Sequence, residues 1–152
     1  MLRNPIFFTS LLVASLFFST PLRSQPAPKK CERLTRAKIE EKFGKPVKCL
    51  NDSEDVECFG DEREPIRVQF NSSHLVTGIE MSTICYGLRS LMTGLDETVP
   101  KSTRGKYLQR RPKSASGSCS VVSEEEYECL RINYSETLCM GCAPASIKAI
   151  WK

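Results

Sequence analysis

The sequence predicts an α+β fold made of two small helix-plus-antiparallel-sheet repeats that are stapled by disulfides. Eight cysteines in a chain of 152 residues are typical of a small exported protein with a disulfide framework. The pairs Cys49/Cys58 and Cys119/Cys129 have similar spacing, and each pair follows a helix-like segment and precedes strand-like segments. The two halves also share short matches in the same order, at offsets of about 70 residues. These matches join 35–39 to 103–107, 57–59 to 128–130, and 76–79 to 147–150.

The N-terminus predicts a secretory signal sequence over residues 1–24. Arg3 supplies the positive charge, and the apolar run over 6–18 is too short to span a membrane. Residues 25–30 are a Pro-rich lead-in that we expect to be disordered, followed by a first repeat over 31–84 and a second over 85–152. We therefore expect a secreted or periplasmic protein without a lipid or membrane anchor.

Local signals in the first half predict one helix and about four strands. Thr35 can cap a helix that Gly44 ends, which predicts a helix over Arg36–Phe43. The following segments predict a hairpin, an alternating strand and a further strand: Val47–Phe59, Ile66–Phe70 and Leu75–Met81.

The second half predicts a helix over Tyr86–Gly94, because apolar residues recur there and just beyond it at helical spacing. We expect a break over 96–100, a second and weaker helix over Thr103–Arg111, and a loop over 112–118. The remaining stretches predict strands: Ser118–Val122, Tyr127–Tyr134 and Ser146–Lys152.

Eight cysteines allow roughly a hundred pairings, and spacing alone does not choose among them. Hairpin disulfides Cys49–Cys58 and Cys119–Cys129 are the best predictions. The other four cysteines then pair as Cys31–Cys85 with Cys139–Cys142, or crosswise.

The pattern of a helix, a glycine, a cysteine, a turn, a second cysteine and then strands resembles one repeat of the β-lactamase-inhibitory protein and the related outer-membrane assembly lipoproteins. The segments that carry the resemblance are 43–49 with 58–60, and 117–119 with 129–130. The chain departs from that family in its four extra cysteines, its single Trp and its four Tyr. The resemblance implies the repeat architecture and a protein-binding style, but it does not identify β-lactamase as the target.

The Cys139-Met140-Gly141-Cys142 motif is the one segment with a catalytic interpretation. A C-x-x-C dithiol can exchange disulfides when one thiol is activated, although a structural bridge is the favoured interpretation so close to the C-terminus. His74 is the single histidine and sits in a turn-like segment, so no Ser-His-Asp site is predicted. Zinc would need two further ligands. We predict no catalytic residue, no metal and no cofactor.

Charged residues form several runs. Carboxylates cluster over 54–57, 61–64 and 124–128, where we expect solvated hairpin tips. A basic run is predicted as a solvated loop, with docking of an acidic partner or an anionic polymer as the alternative. It contains Lys101, Arg104, Lys106, Arg110, Arg111 and Lys113. Glycosylation sequons begin at Asn51, Asn71 and Asn133, and they would matter in a eukaryotic source.

These features predict a monomeric, non-enzymatic binding module, such as a protein inhibitor or an envelope-interaction protein. The balance of 22 Lys and Arg against 18 Asp and Glu argues against a nucleic-acid partner. Exposed aromatic side chains on a concave sheet face would support this function, whereas a uniformly charged sheet surface would count against it. The alternatives are a small thiol–disulfide oxidoreductase that uses Cys139 and Cys142, and a structural exported protein without a specific ligand.

Overall fold

The computed structural model describes residues 31–49, 55–114, 119–138 and 144–152. These residues form one antiparallel sheet of seven strands with two α-helices and a short 3-10 turn at Lys101–Thr103. The helices are α1 (Arg36–Phe43) and α2 (Gly87–Thr98). The strands are β1 (Val56–Phe59), β2 (Ile66–Phe70), β3 (Val76–Thr83), β4 (Tyr107–Ser114), β5 (Ser120–Tyr127), β6 (Leu130–Thr137) and β7 (Ala145–Trp151). The predicted signal sequence and lead-in lie outside the described residues.

The strand order in the sheet is β1-β2-β3-β7-β6-β5-β4. The last strand of the chain therefore lies in the middle, where β7 joins the first three strands to the second set. Six consecutive residue pairs make this junction, from Gly78 opposite Ile150 to Thr83 opposite Ala145. The sheet is thus continuous across the two halves of the sequence.

The predicted fold class of two helix-plus-sheet repeats is wrong. The physical reason is the β3–β7 pairing, which fuses both sets of strands into one sheet with one hydrophobic core. Side chains from both halves, such as Ile79 and Ile147, are buried in that single core. Burying apolar surface in one larger core stabilises a small domain more than dividing it between two.

The helices follow their local signals. Thr35 Oγ1 accepts a hydrogen bond from the backbone of Lys38 at 3.3 Å, α1 ends before Gly44, and Ile39 points into the core. The predicted helix over Arg36–Phe43 and the predicted strand over Ile66–Phe70 are confirmed at both ends. Helix α2 extends beyond its predicted end at Gly94 and into the predicted break over 96–100, and it ends at Thr98.

The predicted helix over Thr103–Arg111 is wrong, since this segment enters β4. The predicted loop over 112–118 is also wrong for its first residues, because β4 continues to Ser114. The cause is the pairing of β4 with β5, which local sequence does not reveal: Arg111 lies 3.7 Å from the Glu126 carboxylate, and Gln109 donates a hydrogen bond to the same carboxylate at 2.6 Å. Polar side-chain pairs of this kind across two strands favour the sheet. For the same reason Glu124 and its neighbours lie within a strand and not at a hairpin tip.

The disulfide prediction is confirmed at one pair and wrong at others. Cys49 is bonded to Cys58 as predicted, but Cys129 is bonded to Cys31 and not to Cys119. The predicted Cys31–Cys85 bridge is therefore wrong as well. Cys85 and Cys119 are both disulfide-bonded, whereas Cys139 and Cys142 lie outside the described residues.

The path of the segment before α1 explains the Cys31–Cys129 bond. Arg33 donates a hydrogen bond to the carbonyl of Lys152 at 2.8 Å, and the backbone N–H of Lys152 donates to the carbonyl of Cys129 at 3.0 Å. The segment before α1 therefore runs along the end of β7, beside the turn that carries Cys129.

Within the described part of the chain, neither helix is long and apolar enough to cross a membrane.

Candidate functional site

The loop between β3 and α2 presents the most exposed large apolar side chains of the described residues. Ile84 is 68% exposed and Tyr86 is 75% exposed. Cys85, which lies between them, is disulfide-bonded. Large apolar groups leave water when they enter a partner's pocket, so this loop, Thr83–Gly87, is the candidate binding site.

Side-chain hydrogen bonds hold this loop in place. Glu64 Oε1 accepts a hydrogen bond from the Thr83 hydroxyl at 3.1 Å and from the backbone N–H of Ile84 at 3.3 Å. Thr83 Oγ1 in turn accepts from the backbone N–H of Tyr86 at 3.4 Å. Because these bonds and the disulfide are present before any partner arrives, binding would cost less conformational entropy than ordering a free loop.

The start of α2 fixes the other end of the loop. Tyr86 at the N-cap makes no side-chain capping bond. Glu136 of β6 supplies the acceptor instead, since its Oε1 lies 2.9 Å from the backbone nitrogen of Leu88. A carboxylate at a helix N-terminus is stabilised by the unpaired N–H groups there.

Two further exposed apolar side chains lie at the same end of the sheet. Val121 is 49% exposed and Leu138 is 57% exposed. Thr83, Ala145, Glu136 and Val121 are successive register partners across β3, β7, β6 and β5. Three strand spacings separate β3 from β5, so the exposed apolar side chains span about 14 Å along this end of the sheet.

A groove of about 240 Å³ lies beside the loop. It separates the β1–β2 connection from the end of β3, and it contains the guanidinium-bearing residues Arg63 and Arg67 next to Ile84. Glu64 lines the same groove. The site therefore combines apolar side chains with charged groups of both signs at its border.

The sheet face away from the helices is polar. One row of register partners crosses six strands with mixed charge: Arg67, Glu80, Lys148, Asn133, Glu124 and Arg111. Lys148 and Glu80 form an ion pair at 3.5 Å, beside a hollow of about 200 Å³ at Gly78. By strand alternation, the aromatic rings of the described strands lie on the other face. The expected set of exposed aromatic side chains on a concave sheet face is therefore not found there.

The predicted basic run does not form one surface. Arg104 is 3% exposed and donates to the Asp96 carboxylate and, at 2.8 and 3.1 Å, to the carbonyl of Val99. Lys101 lies 3.6 Å from the other oxygen of Asp96. Lys106, Arg110 and Arg111 are exposed on or beside β4, and the side chain of Lys113 lies outside the described part.

A polar network that the sequence analysis missed lies on the helix side of the sheet. Glu125 Oε2 accepts hydrogen bonds from the hydroxyls of Tyr127 at 2.9 Å and Tyr134 at 2.8 Å. Burial, followed by the bond to Glu125, raises the pKa of both tyrosines. The Arg104 guanidinium stacks over the Tyr127 ring at 5.9 Å. Because these groups satisfy one another, we assign the network a structural role.

The other candidate residues have local roles. His74 is an exposed turn residue whose carbonyl accepts from the backbone of Arg36 at 3.1 Å. Asn71 Oδ1 accepts two backbone hydrogen bonds within the same turn, and Asn133 lies on β6. Among the described residues, no group of three or more His, Cys, Asp or Glu side chains could hold a metal ion. Asn51 and the Cys139/Cys142 motif fall outside them.

Ile84 and Tyr86 were not predicted as functional residues. The signal that could have indicated them is their position, since both flank a cysteine immediately before the helix and neither belongs to its apolar stripe of Leu88, Leu91 and Leu95.

No family model, no curated protein and no solved structure matches this chain. The resemblance to the β-lactamase-inhibitory protein therefore remains a prediction.

Proposed function

We propose that this protein is an exported, disulfide-stapled binding module that recognises another protein through loop Thr83–Gly87. The observation that carries the proposal is the pair Ile84 and Tyr86, which stand exposed on either side of a disulfide-bonded cysteine on a hydrogen-bonded loop. Tyrosine is among the residues that contribute most binding energy at protein interfaces, and an aliphatic side chain such as that of Ile84 gains free energy when it leaves water for a partner's pocket.

The chemistry of the loop favours a protein partner over a small molecule. A small-molecule site encloses its ligand in a cavity, whereas Ile84 and Tyr86 project outward into solvent. An anchor that projects into solvent and is already held in place fits a concave site on another protein, as the anchors of inhibitors do. The arginines of the adjacent groove would set orientation through an acidic rim on the partner.

A site-specific crosslinking experiment tests the proposal. The mature protein would carry a photoreactive phenylalanine at position 86, or at the exposed α1 position Glu41 as the control. Each would be irradiated in the extracellular fraction of the producing cells. We expect a discrete crosslinked protein from position 86 and none from position 41.

Competition then assigns the interaction to the loop. Unlabelled wild type and the Ile150→Ser variant, which removes a different exposed apolar side chain, should suppress the crosslink equally. The Ile84→Ser variant should compete at least ten-fold less well, because about 2 kcal/mol of apolar burial is lost. Equal competition by all three proteins would refute the assignment of the loop as the binding site.

A further inference from the structure

The two outer edges of the sheet differ. At β1, Val47 pairs with Cys58 with an N–O distance of 2.7 Å, and the Cys49–Cys58 disulfide fixes that covering segment. At β4, none of the described residues pairs with the outer edge. Residues 107–112 of β4 are all exposed. An open edge offers backbone N–H and C=O groups to an added strand.

Strand β4 also carries two arginines, Arg110 and Arg111, whose positive charge the carboxylates of β5 do not fully neutralise. Arg110 lies opposite Glu125, whose Oε2 is occupied by tyrosine hydroxyls, and Arg110 makes no ion pair with the described residues. Arg111 lies 3.7 Å from Glu126, but that carboxylate is held more closely by Lys152 at 2.9 Å. Both guanidinium groups therefore retain capacity for another carboxylate.

We propose that the outer edge of β4 binds a short, acidic, extended segment of a partner protein as an added strand. Neighbouring residues of a strand point to opposite faces, so Arg110 and Arg111 would each meet one of two consecutive acidic residues. An added strand can pair with only part of this edge. The irregular pairing around Leu108 limits it at one end, and Pro112, which has no backbone N–H, limits it at the other. The added segment would therefore pair over about four residues, with charge supplying much of its affinity.

Charge complementarity selects this occupant. A second copy of β4 in the same place would bring its own Arg110 and Arg111 beside these two, and like charges facing each other are destabilising. An anionic polymer would satisfy the guanidinium groups but would leave the backbone edge unpaired. An acidic peptide uses both features.

The site is independent of the proposed function of loop Thr83–Gly87. Strand β4 lies four strand positions from β3 in the sheet, which is about 19 Å. Substitutions on one surface therefore leave the other unchanged, and either proposal can fail alone.

The test uses a synthetic peptide with the sequence of Ser120–Tyr127, an acidic strand that already pairs with the inner edge of β4. A control peptide has Gln in place of its three Glu residues. Each would be titrated into the isotope-labelled mature chain while the amide signals of residues 109–111 are followed by NMR. We expect the acidic peptide to bind at least ten-fold more tightly and to slow amide exchange on the outer edge of β4.

Matched variants complete the experiment. Arg110→Ser with Arg111→Ser should weaken binding at least ten-fold, whereas Lys45→Ser with Arg89→Ser, which removes the same charge from other exposed positions, should not. Equal affinity for both peptides, no effect of the arginine substitutions, or unchanged amide exchange would overturn the proposal. So would binding of dextran sulfate without binding of the peptide, which would assign β4 to anionic polymers.

Discussion

Cys31 and Cys129 are bonded across 98 residues of sequence, and this bond ties the segment before α1 to the turn between β5 and β6. The Cys49–Cys58 bond closes a separation of only 9 residues at the β1 edge of the sheet. The first disulfide constrains the unfolded chain far more than the second, because the entropy of loop closure grows with loop length.

We therefore predict unequal losses of stability when the two bonds are removed. Replacing Cys31 and Cys129 by Ser should lower the free energy of unfolding by about 2 kcal/mol more than replacing Cys49 and Cys58 by Ser. Urea denaturation of both double variants measures the difference. A larger loss from the Cys49–Cys58 pair would show that loop length does not govern stability here.

The Arg104–Asp96 ion pair gives a second prediction, with its control on the same carboxylate. Arg104 is buried and also holds the carbonyl of Val99, so Arg104→Met should cost about 3 kcal/mol of unfolding free energy. Lys101 pairs with the same Asp96 but is 79% exposed. Lys101→Met should change stability by less than about 0.5 kcal/mol. Denaturation midpoints measure both, and equal losses would contradict the role given to burial.

The helices and strands that the sequence predicted are those whose signals are local. Helix α1 has its cap, its stop and its buried Ile39 within ten residues, and β2 alternates within five. Strand β4 could not be predicted because it is stabilised by β5, whose carboxylates follow it in sequence and face it only after folding. The continuous sheet depends on β3 pairing with β7 across a long separation, which internal similarity between the halves does not reveal.

The candidate site was less predictable than the fold. The basic run looked like one surface in sequence, yet Arg104 turns inward while Arg110 and Arg111 stay outside. Ile84 and Tyr86 become conspicuous only when the exposure of each side chain is known, because apolar residues are frequent at both buried and exposed positions.

Glu126 gives a prediction of pH dependence. Its hydrogen bonds from Lys152 and Gln109 lower its pKa to about 2. A carboxyl with a depressed folded-state pKa stabilises the fold above its unfolded pKa, near 4.5, and that stabilisation is lost as pH falls toward 2. Glu126→Gln should therefore be less stable than wild type at pH 7, and the gap should close between pH about 4.5 and about 2.

Urea midpoints at pH 7, 4 and 2.5 measure that gap. The exposed Glu97→Gln variant serves as the control and should differ little from wild type at any of the three. A gap for Glu126→Gln that stays constant with pH would show that its ionisation is not coupled to folding.

Two glycines separate backbone strain from steric crowding. Gly44 and Gly105 both have positive φ, at +83° and +75°. A Cβ at position 44 would meet nothing within 4 Å, whereas one at position 105 would lie 2.8 Å from the Cβ of Glu128. Gly44→Ala should cost about 2 kcal/mol for the backbone conformation alone, because φ +83° with ψ −167° is a region that almost only glycine adopts. Gly105→Ala should cost about 2 kcal/mol more, because Glu128 and the turn that leads to Cys129 must also move. Thermal and urea unfolding of the two variants measure the difference, and equal costs would show that this turn yields freely.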